Sequence, residues 1–278
     1  AMACSGSSSP TPVDLATPVV LSLRALVASS DLAPGENRFV FALLGSTSSP
    51  VRASGAQVAL SYVEKDGAVP YGEVEAVFRR WPGGPGGVFT AQVDFPQAGT
   101  WLAEIVPTDG EAVGELARLS FEVKEQSDTP ALGAPAPRSS NRTAADVASL
   151  EELTSDVNPD QELYQMTIAQ ALQTGQPLLV AFATPAFCAS ATCGPQVDVV
   201  KALKETYKGL INVIHVEVYE NPHEMRGDLS KGRLSPEIEE WGLPTEPWTF
   251  IVDANGLIAG KFEAFTSYEE LDETLARV

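Results

Sequence analysis

Two cysteines that stand close together, Cys188 and Cys193, are the residues of this chain best suited to chemistry. An apolar run from Leu178 to Ala183 precedes them and is long enough for a buried strand. Gly194 and Pro195 follow them and are typical of the start of a helix. A helix N-terminus favours a thiolate, and the thiolate is the attacking form of cysteine. The pattern therefore indicates a pair of sulfurs that can exchange thiols and disulfides.

The spacing of the pair allows two arrangements. Four residues, Ala189 to Thr192, separate the cysteines. If a helix starts directly after Cys188, the two Cα atoms are about 7.5 Å apart along the axis. A disulfide needs Cα atoms within roughly 7 Å, so this arrangement must unwind a turn to oxidise. If Pro195 is the first helical residue, both cysteines lie in a loop and pair readily.

Predicted helices and strands alternate around this pair. A helix is predicted over Asp160 to Thr174, where apolar residues recur on one face, and the strand over 178–183 follows it. A second helix extends to about Tyr207, and a second buried strand covers Ile211 to Val218. This order favours parallel strands with helical crossovers. The remaining elements are a short helix over 236–241, a strand over 248–253, a hairpin turn at Asn255-Gly256 and a last helix capped by Ser267.

This order of elements resembles the thioredoxin fold. The residues that carry the match, over roughly residues 145–278, are Phe182, Cys188, Trp241-Gly242, Pro247 and the Asn255-Gly256 hairpin. In that family a cis-proline precedes the third core strand and faces the redox cysteines, a place that Pro247 would take. The chain looks closest to membrane-anchored, extracytoplasmic members that exchange thiols and disulfides. The resemblance implies that Cys188 attacks, that Cys193 resolves the intermediate, and that no cofactor or metal takes part.

Four further residues are expected beside the sulfurs: Thr184, Pro195, Glu246 and Pro247. Pro247 would shape the face that holds a partner's backbone. A carboxylate at Glu246 should raise the pKa of the thiols and make the couple more reducing. The strand departs from the family pattern, because Val180-Ala181 stand at the level of the family's buried acid. This departure and the wide cysteine spacing leave open a binding module with a structural disulfide and no turnover.

Two other kinds of chemistry stay open. Some peroxiredoxin-like peroxidases carry two cysteines at this separation after a Thr-Pro pair, which Thr184 to Cys188 resembles with one residue too many. Arg226 and Arg233 are the arginines that a peroxidase could use. The other alternative is copper handling by the two cysteines with a histidine, either His215 or His223, because soft thiolates suit Cu(I).

The N-terminal half is predicted to be all β. About seven short β-rich runs lie between Val13 and Glu125, separated by clusters of Gly, Pro, Asp and Ser. This spacing predicts an antiparallel sandwich, and the runs PGENRFVFALL and FPQAGTWLAEIV resemble small immunoglobulin-like modules of bacterial envelope proteins. The half contains no histidine, and no cysteine lies between Cys4 and Cys188. A spacer or partner-docking role is therefore expected for it.

The start of the chain looks like the mature start of a bacterial lipoprotein. Small residues precede Cys4, and a tether rich in Ser, Gly and Pro follows it. Lipid attached to Cys4 would be the only contact with a membrane, in an extracytoplasmic location. The predicted organisation is a tether over 1–12, an immunoglobulin-like β-sandwich over 13–125, a linker rich in Pro, Ala and Ser over 126–145, and an α/β thioredoxin-like domain over 146–278.

The charge of the chain limits its partners. It has 18 Lys and Arg against 37 Asp and Glu, a formal net charge of −19. Nucleic acid and anionic membrane surfaces are repelled by such a field. No run approaches the roughly 18 apolar residues that mark a spanning helix. The expected partners are envelope proteins that carry thiols or disulfides.

Overall fold

The computed structural model describes residues 23–81, 86–188 and 191–278. Its N-terminal part contains seven strands: β1 (Arg24–Val27), β2 (Gly35–Leu44), β3 (Gly55–Glu64), β4 (Gly67–Arg80), β5 (Gly87–Phe95), β6 (Gly99–Pro107) and β7 (Ala117–Val123). All seven belong to one antiparallel sheet in the order β1-β2-β5-β4-β3-β6-β7. The edge strands β1 and β7 also approach each other, so the sheet curls into a nearly closed, barrel-like form.

The predicted immunoglobulin-like sandwich is therefore wrong. A sandwich needs two separate sheets, whereas here the pairing of β4 with β5 joins the group β1-β2-β5 to the group β4-β3-β6-β7 in one sheet. Alternating apolar residues fill the inside, among them Phe39, Phe41, Phe89 and Trp101, all fully buried. The alternation that identifies a half-buried strand is the same in a sandwich and in a closed sheet. The sequence pattern therefore could not separate the two.

The C-terminal part has a second, smaller sheet. Its strands are β8 (Leu178–Ala183), β9 (Asn212–Glu217), β10 (Trp248–Val252) and β11 (Ile258–Glu263). The α-helices are α1 (Ile168–Ala171), α2 (Cys193–Thr206), α3 (Pro222–Met225), α4 (Pro236–Glu240) and α5 (Tyr268–Leu275). The strand order is β11-β10-β8-β9. As predicted, β8 and β9 are parallel with α2 as their crossover, but β10 runs antiparallel to both of its neighbours.

The predicted fold class of residues 146–278, α/β thioredoxin-like, is wrong as well. The described chain is mostly β, its second sheet has a single parallel pair, and four of its five described α-helices have eight residues or fewer. Local caps shorten the helices. The helix predicted over 160–174 is divided, because Asp160 caps a 3₁₀ turn over Gln161–Tyr164 and Thr167 caps α1.

Residues 126–145 run as an extended segment that packs on the second sheet. The backbone N–H of Gly133 donates to the carbonyl of Ile258 at 2.8 Å, and that of Ala136 donates to Gly256 at 2.9 Å. Ser139 is buried and accepts a hydrogen bond from the indole of Trp241 at 3.0 Å. The Pro-rich composition keeps the segment extended, and these contacts hold it in place.

Buried charges join the two parts of the chain. The carboxylate of Asp31 accepts hydrogen bonds from Ser127 at 2.6 Å, Thr129 at 2.7 Å and Lys261 at 3.1 Å. Burial alone would raise the pKa of Asp31, but these contacts hold it far below its ordinary value. Nearby, the guanidinium of Arg38 pairs with the carboxylate of Glu270 at 2.9 Å. The sheet ends of both parts are thus fixed against each other by paired, desolvated groups.

Candidate functional site: the disulfide beyond strand β8

Cys188 and Cys193 are joined by a disulfide, with their Cα atoms 5.9 Å apart. Strand β8, buried at every residue, ends at Ala183, and a turn follows in which the N–H of Cys188 donates to the carbonyl of Thr184 at 3.1 Å. Cys188 lies in this loop, and Cys193 is the first residue of α2. The helix therefore starts between the two positions that the sequence left open, and the pair is bridged without unwinding. Residues 189–190 lie outside the described part of the chain.

The two sulfurs differ in access. Cys193 has 0% of its surface exposed and packs in the core with Leu163 and Val197, whereas Cys188 is only partly buried. Of the two residues, Cys188 is thus the one with surface open to solvent. A negative charge left on Cys193 would lie at the N-terminus of α2, where the helix dipole stabilises it. In this arrangement Cys188 is the sulfur that a thiolate would attack, and Cys193 is the leaving group.

Pro247 and Glu246 stand at the same end of the second sheet. Pro247 directly precedes Trp248, which pairs with Phe182 near the end of β8. The peptide bond between Glu246 and Pro247 is cis, as the resemblance implied. Glu246 is partly buried, and burial raises the pKa of its carboxyl. The influence of that carboxyl on the sulfurs remains a prediction.

Thr184 and Pro195 border the disulfide from its two sides. Thr184 is fully buried directly after β8, and its side chain lies beside the carboxylate of Glu217. Pro195 is the third residue of α2 and lines a recess of about 230 Å³. Pro185 and Ala186, which precede the first cysteine, form another part of the recess. A loop over 155–158 completes it, with Val157 88% exposed.

Glu217, at the end of β9, is a candidate site residue that the sequence analysis missed. Its carboxylate is buried and accepts hydrogen bonds from the backbone N–H and the hydroxyl of Ser155, both at 2.8 Å. The same hydroxyl accepts a hydrogen bond from the N–H of Ala186 at 3.0 Å, two residues before Cys188. Burial raises the pKa of Glu217, and the hydrogen bonds from Ser155 and from the backbone N–H of Val218 partly oppose that effect. The available signal was a single carboxylate at the end of a predicted buried strand.

His215 has a structural role that follows from its partners. Its Nε2 lies 3.1 Å from the carbonyl of Ala183, which can only accept, so Nε2 carries the proton. Nδ1 therefore accepts a hydrogen bond from the hydroxyl of Tyr164 at 2.7 Å. Burial lowers the pKa of His215 to about 4, so the ring is neutral. With both nitrogens occupied, His215 offers no free ligand atom to copper.

The other residues considered for metal or peroxide chemistry are engaged or exposed. His223 is exposed on α3, and the guanidinium of Arg233 pairs with Glu224 at 3.2 Å. Arg226 ends α3 in a left-handed conformation. Among residues 23–81, 86–188 and 191–278, the one cluster with metal-binding spacing is Asp160, Glu162 and Glu205, and the ammonium of Lys204 pairs with all three carboxylates.

Within the described ranges, none of the helices combines the length and the apolar character that crossing a bilayer requires.

No family model and no curated protein matches the chain. Solved structures with some similarity include two variants of a superoxide reductase (neelaredoxin) from Ignicoccus hospitalis. One is 16% identical and covers 37% of this chain and 81% of its own, with a TM-score of 0.23; the other is 16% identical and covers 36% and 78%, with a TM-score of 0.22. MtrC from Shewanella baltica is 14% identical and covers 44% of this chain and 24% of its own, with a TM-score of 0.27. Similarities at this level carry no argument about fold or function.

Proposed function

We propose that this protein exchanges thiols and disulfides with other proteins through Cys188 and Cys193. The observation that carries the proposal is the asymmetry of the pair, with a partly exposed sulfur in the loop and a buried sulfur at the start of α2. The recess lined by Pro185, Ala186 and Pro195, residues that flank the two cysteines along the chain, would receive a partner's chain.

The reaction transfers a disulfide in two steps. A thiolate of the partner attacks Sγ of Cys188, the bond to Cys193 breaks, and Sγ of Cys193 leaves as a thiolate and takes up a proton. A second thiolate of the partner then attacks the partner's sulfur in the mixed disulfide. A disulfide forms within the partner, and Cys188 leaves as a thiolate and takes up a proton. The partner loses two electrons and two protons, and this protein gains them. The reverse sequence, begun by Cys188, reduces a disulfide of the partner.

The location belongs to the same proposal. Disulfides persist in oxidising compartments, so a bridged pair suits an extracytoplasmic protein of a bacterium. Lipid on Cys4, which lies outside the described residues, would hold the protein at the membrane. Its partners would then be proteins of the cell envelope that carry thiols or disulfides.

Trapping the intermediate tests the proposal. Cys4 is replaced by serine in every sample, so that one reactive pair remains, and insulin serves as the disulfide substrate. Cys193→Ser should accumulate a mixed disulfide between Cys188 and insulin that mass spectrometry detects. Cys188→Ser should form none, because the remaining sulfur is buried.

A redox titration decides against the alternative of a static bridge. Structural disulfides have reduction potentials below about −300 mV, whereas exchanging ones are reduced at higher potentials. If the Cys188–Cys193 bridge of the unmodified protein resists thiol buffers down to that value and insulin is not reduced, the pair is structural and the proposal fails.

A further inference from the structure

A second cavity of about 230 Å³ lies at the end of β9 and is distinctly acidic. Four carboxylates line it and a single cation, Arg142, faces them. The guanidinium of Arg142 is already engaged, because Nη1 donates to the carbonyls of Glu152 at 3.2 Å and Glu220 at 2.9 Å and Nη2 lies 3.7 Å from the carboxylate of Glu152. From outside the cavity, the guanidinium of Arg233 lies 3.8 Å from the carboxylate of Glu220. The four acidic residues that line the cavity are Glu152, Glu217, Glu220 and Glu237. The cavity is smaller than the roughly 300–1,000 Å³ of small-molecule sites and is sized for a side chain.

Glu237, on α4, points to the kind of side chain that would enter. It is only 7% exposed, and its carboxylate receives a hydrogen bond from its own backbone N–H and, within the described ranges, from no other residue. The charges of Glu220 and Glu240 add repulsion to the effect of burial, which raises the pKa of Glu237. Burial disfavours the charged form of a carboxylate that has no cation beside it, and a cation that arrives from outside would stabilise that form.

The cavity is connected to the loop that carries the accessible sulfur. Tyr219 lines the cavity, and its ring centre lies 6.1 Å from that of Phe187, the residue before Cys188. Glu217 also lines the cavity and is joined through Ser155 to the backbone of the same loop. These contacts connect the cavity to Ala186 and Phe187, the two residues before Cys188.

We propose that this cavity binds a lysine or arginine side chain of the protein whose sulfur reacts with Cys188. The inference rests on the proposed function and adds a selection rule to it: partners with a basic residue near the reacting cysteine are preferred. Glu237 supplies the unpaired negative charge, and the surrounding carboxylates repel acidic and disfavour neutral side chains.

The test measures exchange between the reduced protein and mixed disulfides of short peptides. The peptides differ in a single residue, which is lysine, norleucine or glutamate. This residue is placed in turn two, three, four or five positions from the cysteine. At one position or more, the lysine peptide should react about tenfold faster than the norleucine peptide, since truncating a desolvated charge pair has effects of at least this size. Measurement in 0.5 M NaCl removes the general attraction of a chain of net charge −19.

Two isosteric variants locate the effect. Glu237→Gln should abolish the preference for lysine, whereas Glu239→Gln, an equal change of charge at an exposed position of the same helix, should keep it. Equal rates for lysine and norleucine peptides at every position, or equal loss in both variants, would overturn the proposal. The peptide series on the Cys4→Ser protein, in which one reactive pair remains, gives this answer without any change in the cavity.

A binding measurement separates this proposal from the proposed function. The same peptides with serine in place of cysteine cannot exchange, and their affinities follow from fluorescence anisotropy. If lysine-dependent binding is lost in Glu237→Gln but no peptide disulfide ever reacts, the assignment of the cavity is supported and the proposed thiol–disulfide exchange is refuted. If exchange proceeds and neither binding nor rate depends on lysine, exchange stands and the cavity assignment fails.

Discussion

The two sheets of this protein bury different kinds of side chain. The core of the seven-stranded sheet is apolar and rich in aromatic residues, with edge-to-face and stacked rings such as Phe95–Trp101 and Phe41–Phe89. The four-stranded sheet buries His215, Glu217 and Thr184 in addition to its apolar core. Burying polar groups lowers stability unless each is paired, so their concentration in one part marks where positioning matters more than stability.

The topology of the sheets explains why the candidate site is in the smaller one. Most neighbours in the first sheet follow one another along the chain, as β3 and β4 do. In the second sheet β8, β9 and β10 come from distant parts of the chain, and their neighbouring ends pair Ala183 with Glu217 and Phe182 with Trp248. The loop to Cys188 leaves from this edge, and Pro247 directly precedes Trp248. A site assembled from distant segments depends on a stable scaffold, which the first sheet helps to supply.

The substitution with the largest expected effect tests whether the seven-stranded sheet contributes to stability but not to the exchange reaction. Phe41→Ala removes a fully buried ring and should lower the free energy of unfolding by about 3–5 kcal/mol. The rate of insulin reduction, measured well below the unfolding midpoint, should not change. Urea unfolding and the insulin assay give the two numbers. Phe41→Leu serves as the milder control, and a loss of rate in folded Phe41→Ala would show that the two parts share the function.

The next effect concerns the buried carboxylate of the second sheet. The pKa of Glu217 in the folded protein is raised above the ordinary value of 4.5. Folding therefore favours its protonated form, and its contribution to stability falls as pH rises from 4.5 through the raised pKa. Glu217→Gln lacks this titration, so the difference in unfolding free energy between the two proteins should vary with pH in that window and be constant above it.

Unfolding by urea at several pH values between 4 and 8 measures this difference. Other carboxylates, such as Asp31, cancel because both proteins contain them. Glu122→Gln, the same change of charge at an exposed position of the first sheet, is the matched control. A pH-independent difference for Glu217→Gln would mean that the carboxylate titrates normally in the fold.

The smallest expected effect is on the redox couple itself. Glu246 is partly buried near the end of β8, and its negative charge opposes the formation of thiolates. Glu246→Gln should make the couple less reducing by about 30 mV or less, where 30 mV corresponds to a tenfold change in the equilibrium constant. Equilibration with glutathione followed by mass spectrometry measures it. An unchanged potential would remove Glu246 from the site, and Glu240→Gln is the exposed control.

Local features of the fold could be predicted from the sequence. The buried strand before the cysteines, the parallel pair β8–β9, the turn at Asn255-Gly256 and the Ser267 cap of α5 are all present. Each depends on residues that are neighbours along the chain or on a repeating pattern, which is the information that periodicity and capping rules use.

The long-range features could not be predicted in the same way. Closure of the seven-stranded sheet depends on which strands pair, as β2 does with β5, and apolar alternation is blind to pairing. The link from Glu217 to the redox loop passes through Ser155, which is 62 residues away in sequence. The start of α2 at Cys193 lies between two positions that local rules favour equally.

The buried joint between the sheets has a consequence for how the molecule comes apart. Asp31 has no exposed side-chain surface, and Arg38 and Glu270 have almost none. Pulling one sheet away from the other would break these ion pairs together with their hydrogen bonds. We therefore expect both sheets to unfold on heating in a single cooperative transition. A substitution that destabilises the seven-stranded sheet would then also lower the temperature at which the region around Cys188 and Cys193 unfolds.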